Sequence, residues 1–433
     1  MLVYVDDLVL TGNSISGINS VKALLGAKFM IKDLGKLKFF LGIEVIYTDK
    51  GICLSQRKYC LEVLSEFGLL GSKPINTPIE VNVTSYKNGS NETVLKNLSI
   101  YQKLVGKLIY ITVTRPDISF AVHVLSQFMH APTPSHLKLA FRVLKYLKKN
   151  PGKGVHYIKG MDLELTAFVD SDWGKNLLSR KSITGFCIFL GSYLVNWKSK
   201  KQPTVSRSSA EAEYRAMAAL TCELMWLVNL LTELKVTKLI PIKMYCDNVP
   251  AMQIAANPVH HERSKHFDID WHIVREKLNS GFLKTLKVNS DLNNADIFTK
   301  GLSFSQHDFL TSSITTGVDS FHQITVLVLC EILFLWSRVF GTIPLPISST
   351  WGTIPLLNRN GYLIVISDDG LHSLVWLRKL DDNNNVESWS KPFKVRCYVK
   401  GGTRVYKIND DQQLEVPILI GLIILSQRHP AHV

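Results

Sequence analysis

The sequence predicts a multidomain α/β protein: a mixed β-sheet with flanking helices, preceded by a smaller sheet fragment and a helical connection. Three observations carry that expectation. From Leu163 onward the elements follow in the order β-β-β-α-β-α-α-β-α, a series that builds a mixed sheet with helices on its faces. The series opens on a clean alternation, with Leu163, Leu165, Ala167 and Val169 facing one way and Glu164, Thr166, Phe168 and Asp170 the other. That period of two is a strand with one face on a core. The chain also has 433 residues, enough for two to four domains.

Composition narrows the class. With 46% hydrophobic and 20% charged residues, the chain is not disordered as a whole. Its formal net charge is +14, with a sequence pI of about 9.3. That balance suits a polyanion partner, of which nucleic acid is the commonest, ahead of a generically basic surface. The seven cysteines are scattered with no CxxC pair, which argues against a zinc site. An odd number in a long chain suits reduced thiols and an intracellular compartment, cytoplasmic or nuclear. Met1 leads straight into Leu2-Val3-Tyr4-Val5-Asp6-Asp7 with no basic leader run, so secretion is not expected. Two apolar runs, Ile324 to Trp336 and Val416 to Leu425, are shorter than the ~20 residues of a spanning helix, so no membrane is expected.

Taken in order, Leu2 to Leu10 reads apolar, two aspartates, apolar: a hairpin whose turn holds Asp6 and Asp7. Adjacent like charges suit a cation site as well as a solvated turn. Ser20 to Phe29 is expected to be helical, Lys36 to Tyr47 a strand, Gly51 to Ser55 a continuing hairpin and Tyr59 to Phe67 an amphipathic helix stopped by Gly68. Lys73 to Asn97, rich in Pro, Asn, Ser and Thr, reads as a connector. Three helices follow, over Tyr101–Thr114, Asp117–Met129 and Ser135–Lys149, with Pro116 ending the first. After the opening strand, Ile183–Leu190 and Leu194–Lys198 form a hairpin around Gly191-Ser192. Ser208-Ser-Ala-Glu211 is a capping box for a long helix to about Leu234. Ile242, Met244 and Cys246 alternate into a strand, a short helix reaches Ala256, Phe267–Leu278 is helical, Phe282–Val288 is a strand, and Asn294 caps a short helix bearing Asp296.

Four acids stand out by position. Asp170 ends a strand, Glu213 lies early in the long helix, Asp247 ends another strand and Asp296 opens the last helix. Strand ends and helix starts converge at one edge of a mixed sheet. Carboxylates meeting there repel unless divalent cations lie between them, and hard oxygen donors select Mg²⁺ or Mn²⁺. Two such ions are the known device for phosphodiester hydrolysis. Taken alone, Asp170 and Asp172 read equally as a polar strand end.

These residues resemble the C-terminal part of a copia-type LTR retrotransposon polyprotein, from Met1 to about Leu310. The ribonuclease H portion is carried by Phe168-Val-Asp-Ser-Asp-Trp173, Arg180-Lys-Ser-Ile-Thr-Gly-Phe186, Trp197-Lys-Ser-Lys-Lys-Gln-Pro203, Ser208-Ser-Ala-Glu-Ala-Glu-Tyr214, Tyr245-Cys-Asp-Asn248, Lys265-His-Phe-Asp-Ile-Asp270 and Ala295-Asp-Ile-Phe-Thr-Lys300. Each is weak alone; together and in order they are specific. The resemblance implies a ribonuclease H-like mixed sheet, metal ligands at Asp170, Glu213, Asp247 and Asp296, and two Mg²⁺ or Mn²⁺ ions. Glu211 rivals Glu213, and Asp172 takes a supporting part. The implied substrate is the RNA strand of an RNA–DNA hybrid, read through its 2′-hydroxyls and shape. Phosphate contacts are expected from Arg180, Lys181, Lys198, Lys200, Lys201 and Arg207, whose other reading is a solvated basic face. Arg263, Lys265, His266 and His272 make a second polar cluster beside Asp268 and Asp270, with no assigned role.

Tyr4-Val5-Asp6-Asp7 resembles the catalytic hairpin of reverse transcriptase, followed by Phe29-Met-Ile-Lys-Asp-Leu-Gly35 and Phe39-Phe-Leu-Gly-Ile-Glu44 as in the family's palm. Asp6 and Asp7 are then implied metal ligands. The family's third catalytic aspartate lies N-terminal to this hairpin, so no polymerase activity is expected from these residues alone. The expected division is a truncated palm over residues 1–75, a helical thumb or connection over 76–160, a ribonuclease H-like domain over 161–303 and an unassigned tail over 304–433. In that tail Gly341-Thr-Ile-Pro-Leu345 recurs as Gly352-Thr-Ile-Pro-Leu356, Tyr362–Ile366 and Leu374–Leu377 read as strands, and Val386–Phe393 faintly resembles plant F-box-associated β domains. Three functions follow: a metal-dependent ribonuclease H, a catalytically inactive remnant that binds nucleic acid, or a protein-interaction module in the tail. Other retroelement proteins are further expected partners.

Overall fold

The structure is a computed structural model. It describes residues 2–4, 7–12, 14–49, 51–81, 92–158, 164–175, 179–234, 236, 239–256 and 268–315, and beyond them the strands between Gly352 and Gln427. The chain divides into two compact units, residues 1–38 with 336–433, and residues 39–335.

In the first unit, β1 (Leu2–Tyr4) and β2 (Asp7–Leu10) pair antiparallel with Tyr4 opposite Asp7. Asp7 therefore opens the second strand and does not sit in the turn as expected; Asp6 lies outside the described residues. Helix α1 (Ile15–Lys28) starts earlier than Ser20, because the Ser14 side chain accepts from the Gly17 N–H and caps it there. β3 (Ile31–Lys36) follows, and the expected tail strands fall within Tyr362–Asp368 and His372–Leu380 of the same sheet. The apolar run Ile324–Trp336 lies outside the described residues.

The second unit opens on β4 (Phe39–Phe40), β5 (Ile43–Tyr47) and β6 (Gly51–Ser55). The single strand expected over Lys36–Tyr47 is broken at Leu41 and Gly42, whose φ angles of 50° and 76° make a tight hairpin turn. Helices α2 (Arg57–Glu66), α3 (Leu98–Ile111), α4 (Ser119–Ser126) and α5 (Pro134–Lys149) share one apolar core, with Leu64, Leu104, Leu108, Leu125, Val143 and Leu144 fully buried. Asn97 caps α3, while Thr133 and His136 form a capping box on α5. β7 (Val155–Ile158) then closes a four-stranded sheet against β6.

Inside this helical unit lies a buried ion pair. Arg115 Nε and Nη2 donate to the two Asp117 carboxylate oxygens at 2.9 and 2.7 Å, and the Tyr146 hydroxyl donates to the same carboxylate at 2.5 Å. Arg115 Nη1 also donates to the Asn150 carbonyl at 3.0 Å. Burial alone would raise the Asp117 carboxyl. The charge and hydrogen bonds of Arg115, with the Tyr146 hydroxyl, outweigh that and hold it well below the usual carboxylate range.

The larger regular sheet contains β8 (Leu165–Asp172), β9 (Ile183–Leu190), β10 (Tyr193–Lys201), β11 (Ile242–Cys246) and β12 (Leu283–Lys287), in the order β10-β9-β8-β11-β12. The first three are antiparallel, whereas β8, β11 and β12 are parallel. Helices α6 (Ser209–Glu233), α7 (Val249–Ala256) and α8 (Asp268–Asn279) intervene, and a 3₁₀ turn (Asn294–Phe298) and α9 (Phe304–Thr315) follow. This is the mixed sheet with helices on its faces that the element series predicts. Ser208 caps α6 by accepting from the Glu211 N–H at 3.1 Å. Helix α6 is long and apolar enough to cross a membrane by length and composition alone. It packs on β8 and β9, burying Met217, Leu220, Leu224 and Leu231. Helix α9 packs on β10 and the 3₁₀ turn, so this unit continues past residue 303.

Candidate active site

Parallel neighbours end at the same edge of a sheet, and that places two acids together. With Tyr245 opposite Phe168, the end of β11 delivers Asp247 beside Asp170 of β8. The fourth acid, Asp296, arrives on the 3₁₀ turn. Asn293 fixes that turn: its Nδ2 donates to the Val169 carbonyl at 3.0 Å and its Oδ1 accepts from the Ala295 N–H at 3.1 Å. The cap is thus Asn293, not the expected Asn294, because only Asn293 both starts the turn and reaches β8.

Gly185 makes room for it. It lies opposite Asp170 on β9, and a Cβ there would sit 2.5 Å from Thr299 Cγ2, 2.9 Å from Phe298 Cβ and 3.0 Å from the Ala295 carbonyl oxygen. Gly185→Val is expected to push the turn off the sheet. It should cost about 1–3 kcal/mol in thermal melting and weaken cation binding in a Mg²⁺ titration.

The geometry gathers the acids. Carboxylate oxygens of Asp170, Asp247 and Asp296 lie within 4.8 Å of one another, as do donor atoms of Glu213, Cys246 and Asp247. Residues 211 and 213 stand about 200° apart around a helix, so only one can face the sheet edge. Glu211 is held elsewhere, accepting from the Arg207 N–H at 2.9 Å and pairing with Arg215 at 3.0 Å. Glu213 is buried in the cluster, and its Oε2 has no hydrogen-bond partner among the described residues. Asp172 pairs with Lys175 at 2.9 Å and is not among the clustered donors.

The electrostatics follow from this crowding. Burial, then the charges of Asp170 and Asp247, pushes Glu213 up to about 9. Burial and the neighbouring Asp170 push Asp296 up to about 7. Asp170 is raised as well, by burial first, against the pull of Lys300 and a hydrogen bond from the Thr299 hydroxyl. Lys300 Nζ stands 3.3 Å from Asp170 Oδ1 and 3.0 Å from Asp296 Oδ1, and the Ser290 hydroxyl donates to Asp247 at 2.7 Å. Burial and Glu213 push the Cys246 thiol far up, so it stays protonated and offers no thiolate. What remains is a set of carboxylate oxygens, one of them orphaned, which fits a hard divalent cation.

A family model described as reverse transcriptase (RNA-dependent DNA polymerase) matches residues 1–81. The chain is 41% identical over 315 residues to the retrovirus-related Pol polyprotein from transposon RE1 of Arabidopsis thaliana, covering 72% of this chain and 21% of that one. It is 35% identical over 215 residues to a putative transposon Ty5-1 protein of Saccharomyces cerevisiae, covering 49% of this chain and 69% of that one. The chain belongs to the copia-type retrotransposon polyprotein family. It spans about a fifth of the length of the RE1 polyprotein. Among solved structures, the N-terminal RNase H domain of a Mycobacterium tuberculosis protein matches 35% of this chain and 98% of its own, at 15% identity and a TM-score of 0.23.

In this copia-type chain the basic residues divide. Lys200 and Lys201 end β10, opposite Thr184 and Ile183, on the edge that carries Asp170. They also lie near His123 of α4, which burial and then these two charges push down to about 4. Arg180, with a φ of 54°, and Arg207 are exposed, and Lys181 is half-buried. Lys198 lies over the Phe186 ring and pairs with Glu223 of α6 at 3.3 Å. Arg263, Lys265 and His266 lie outside the described residues. His272 is exposed on α8, and Asp270 stands 3.6 Å from Arg215. Asp6 and Asp7 belong to the first unit.

Several residues at the site escaped sequence reasoning. Lys300 closes the Ala295–Lys300 motif, but the sequence assigned it no role. Buried Gln202 donates to Ser171 Oγ at 3.3 Å, Thr184 Oγ1 at 3.1 Å and the Ala212 carbonyl at 2.9 Å, tying β8, β9 and α6 together. Trp173, just past Asp172, is 51% exposed and donates from Nε1 to the Ser206 carbonyl at 3.0 Å.

Proposed function

We propose that residues 161–303, with α9 packed on them, hydrolyse the RNA strand of RNA–DNA hybrids using Mg²⁺ or Mn²⁺. The observation that carries this reading is the convergence of Asp170, Glu213, Asp247 and Asp296 at one sheet edge. These four carboxylates would hold the ions. When bound, two ions supply an activated water and stabilise the leaving oxygen. The protein's own part is to position them. Asn293 and Gly185 set the approach of Asp296, Thr299 orients Asp170, Ser290 orients Asp247, and Gln202 fixes α6 and hence Glu213. Arg180, Lys181, Lys200, Lys201 and Arg207 would take phosphates on either side, and exposed Trp173 offers a ring to the sugar or base between them. Lys198, held by Glu223, has a structural part in this reading.

In the same reading residues 1–75 are a palm fragment and 76–160 a connection. Asp6 and Asp7 are the palm's cation ligands, and the hydrolysis does not draw on them. The test is hybrid cleavage in Mg²⁺ by the full chain and by Asp170→Asn. Cleavage by the native chain alone is expected; equal rates would overturn the reading.

A further inference from the structure

Every state of this site must answer one physical demand. Asp170 and Asp296 are 2% and 7% exposed, and two buried carboxylates side by side call for a cation or a shared proton between them when no metal ion is bound. Lys300 meets that demand from within the chain. Its ammonium bridges one oxygen of each carboxylate, at 3.3 and 3.0 Å, and those two residues belong to the group whose oxygens converge within 4.8 Å. The backbone fixes this placement. The Lys300 N–H donates to the Asp296 carbonyl at 3.0 Å, so the side chain leaves the end of the 3₁₀ turn on the same side as Asp296. The Lys300 side chain is 31% exposed, which gives the ammonium a path to solvent on a flexible four-carbon stem.

We propose that Lys300 is the site's resident counter-ion. Its ammonium holds the position between Asp170 and Asp296 that a divalent cation would take, and gives it up when the cation arrives. Lys300 therefore sets the cation concentration at which the site loads. This rests on the hydrolytic reading above and adds a device that controls it. A lysine that served only as a fixed structural ion pair would stabilise the fold without competing for the ion.

The experiment is calorimetric titration of the full chain with Mg²⁺ in the absence of nucleic acid, paired with thermal melting in EDTA and in Mg²⁺. The variants are Lys300→Met, Lys300→Arg and Asp170→Asn. Lys300→Met is expected to bind Mg²⁺ about tenfold more tightly than the native chain. It should melt lower in EDTA and gain more from Mg²⁺ than the native chain does. Lys300→Arg should restore the EDTA melting temperature and return Mg²⁺ affinity to the native value or below. If Lys300→Met does not stay folded in EDTA, Lys300→Gln carries the same comparison. Native binding with Lys300→Met unchanged or weaker overturns the counter-ion role and leaves the hydrolytic reading standing. Identical titrations of the native chain and Asp170→Asn overturn the hydrolytic reading and this inference with it.

Discussion

Glu213→Gln is expected to make the metal-free protein more stable and to remove nearly all of the proposed hybrid cleavage. The carboxyl is pushed up to about 9 from its ordinary 4.5 by burial and by Asp170 and Asp247. The sign follows directly. The stability this group provides while protonated is complete below about pH 4.5 and is lost as the pH rises through about 9. Near pH 7 the loss is on the order of 3 kcal/mol, because the buried group must either take up a proton or carry an unpaired charge. Glutamine has the same shape and stays neutral, so in EDTA the variant should melt about 5 °C higher and show a flatter stability profile between about pH 5 and 9. The same change removes a carboxylate from the acidic cluster. Hybrid cleavage should fall by at least about a hundredfold, and added Mg²⁺ should raise the melting temperature less than in the native chain. A variant that melts lower in EDTA than the native chain would contradict the crowding described for this site.

The second large effect lies away from the cluster. Asp117→Ala should destabilise the second unit by about 3–5 kcal/mol, because it strands the Arg115 guanidinium in a buried site. Arg115 is 3% exposed and spends two donors on Asp117, and Tyr146 loses the acceptor of its hydroxyl. The native pair also predicts an acid limb. The Asp117 carboxyl is held low in the fold, so its contribution is present above about pH 4 and is lost as the pH falls towards the folded value. Chemical denaturation of the native chain and Asp117→Ala at neutral and acid pH checks both. Their stabilities should converge at the acid end.

Much of the site was legible because its signals are local. Alternation along Leu165–Asp172 fixes which residues of β8 face the core, and a capping box marks where α6 starts. The choice between Glu211 and Glu213 was not legible from spacing alone. It is decided by Arg207 and Arg215, which occupy one side of the helix start and leave the other to the sheet. Lys198 looked like its neighbours Lys200 and Lys201 until Glu223, 25 positions along, claimed it. Asn293 carries no pattern that marks it, since its partner Val169 lies 124 positions away on β8, while Gln202 and Lys300 fall inside motifs whose spacing does not say what the two side chains touch. The break at Leu41 and Gly42 was hidden because Phe39, Leu41, Ile43 and Val45 keep perfect alternation through a turn.

The bond from Asn293 to the Val169 carbonyl joins residues 124 positions apart. Closing so long a segment is slow, since its entropy must be spent before the contact returns anything. The sheet can align β8, β9 and β10 while residues 290–300 are still unplaced, so cation affinity should be among the last properties a refolding chain acquires. A chain caught before that moment has its hairpins in register and three acids in position, and lacks both Asp296 and the lysine that answers it.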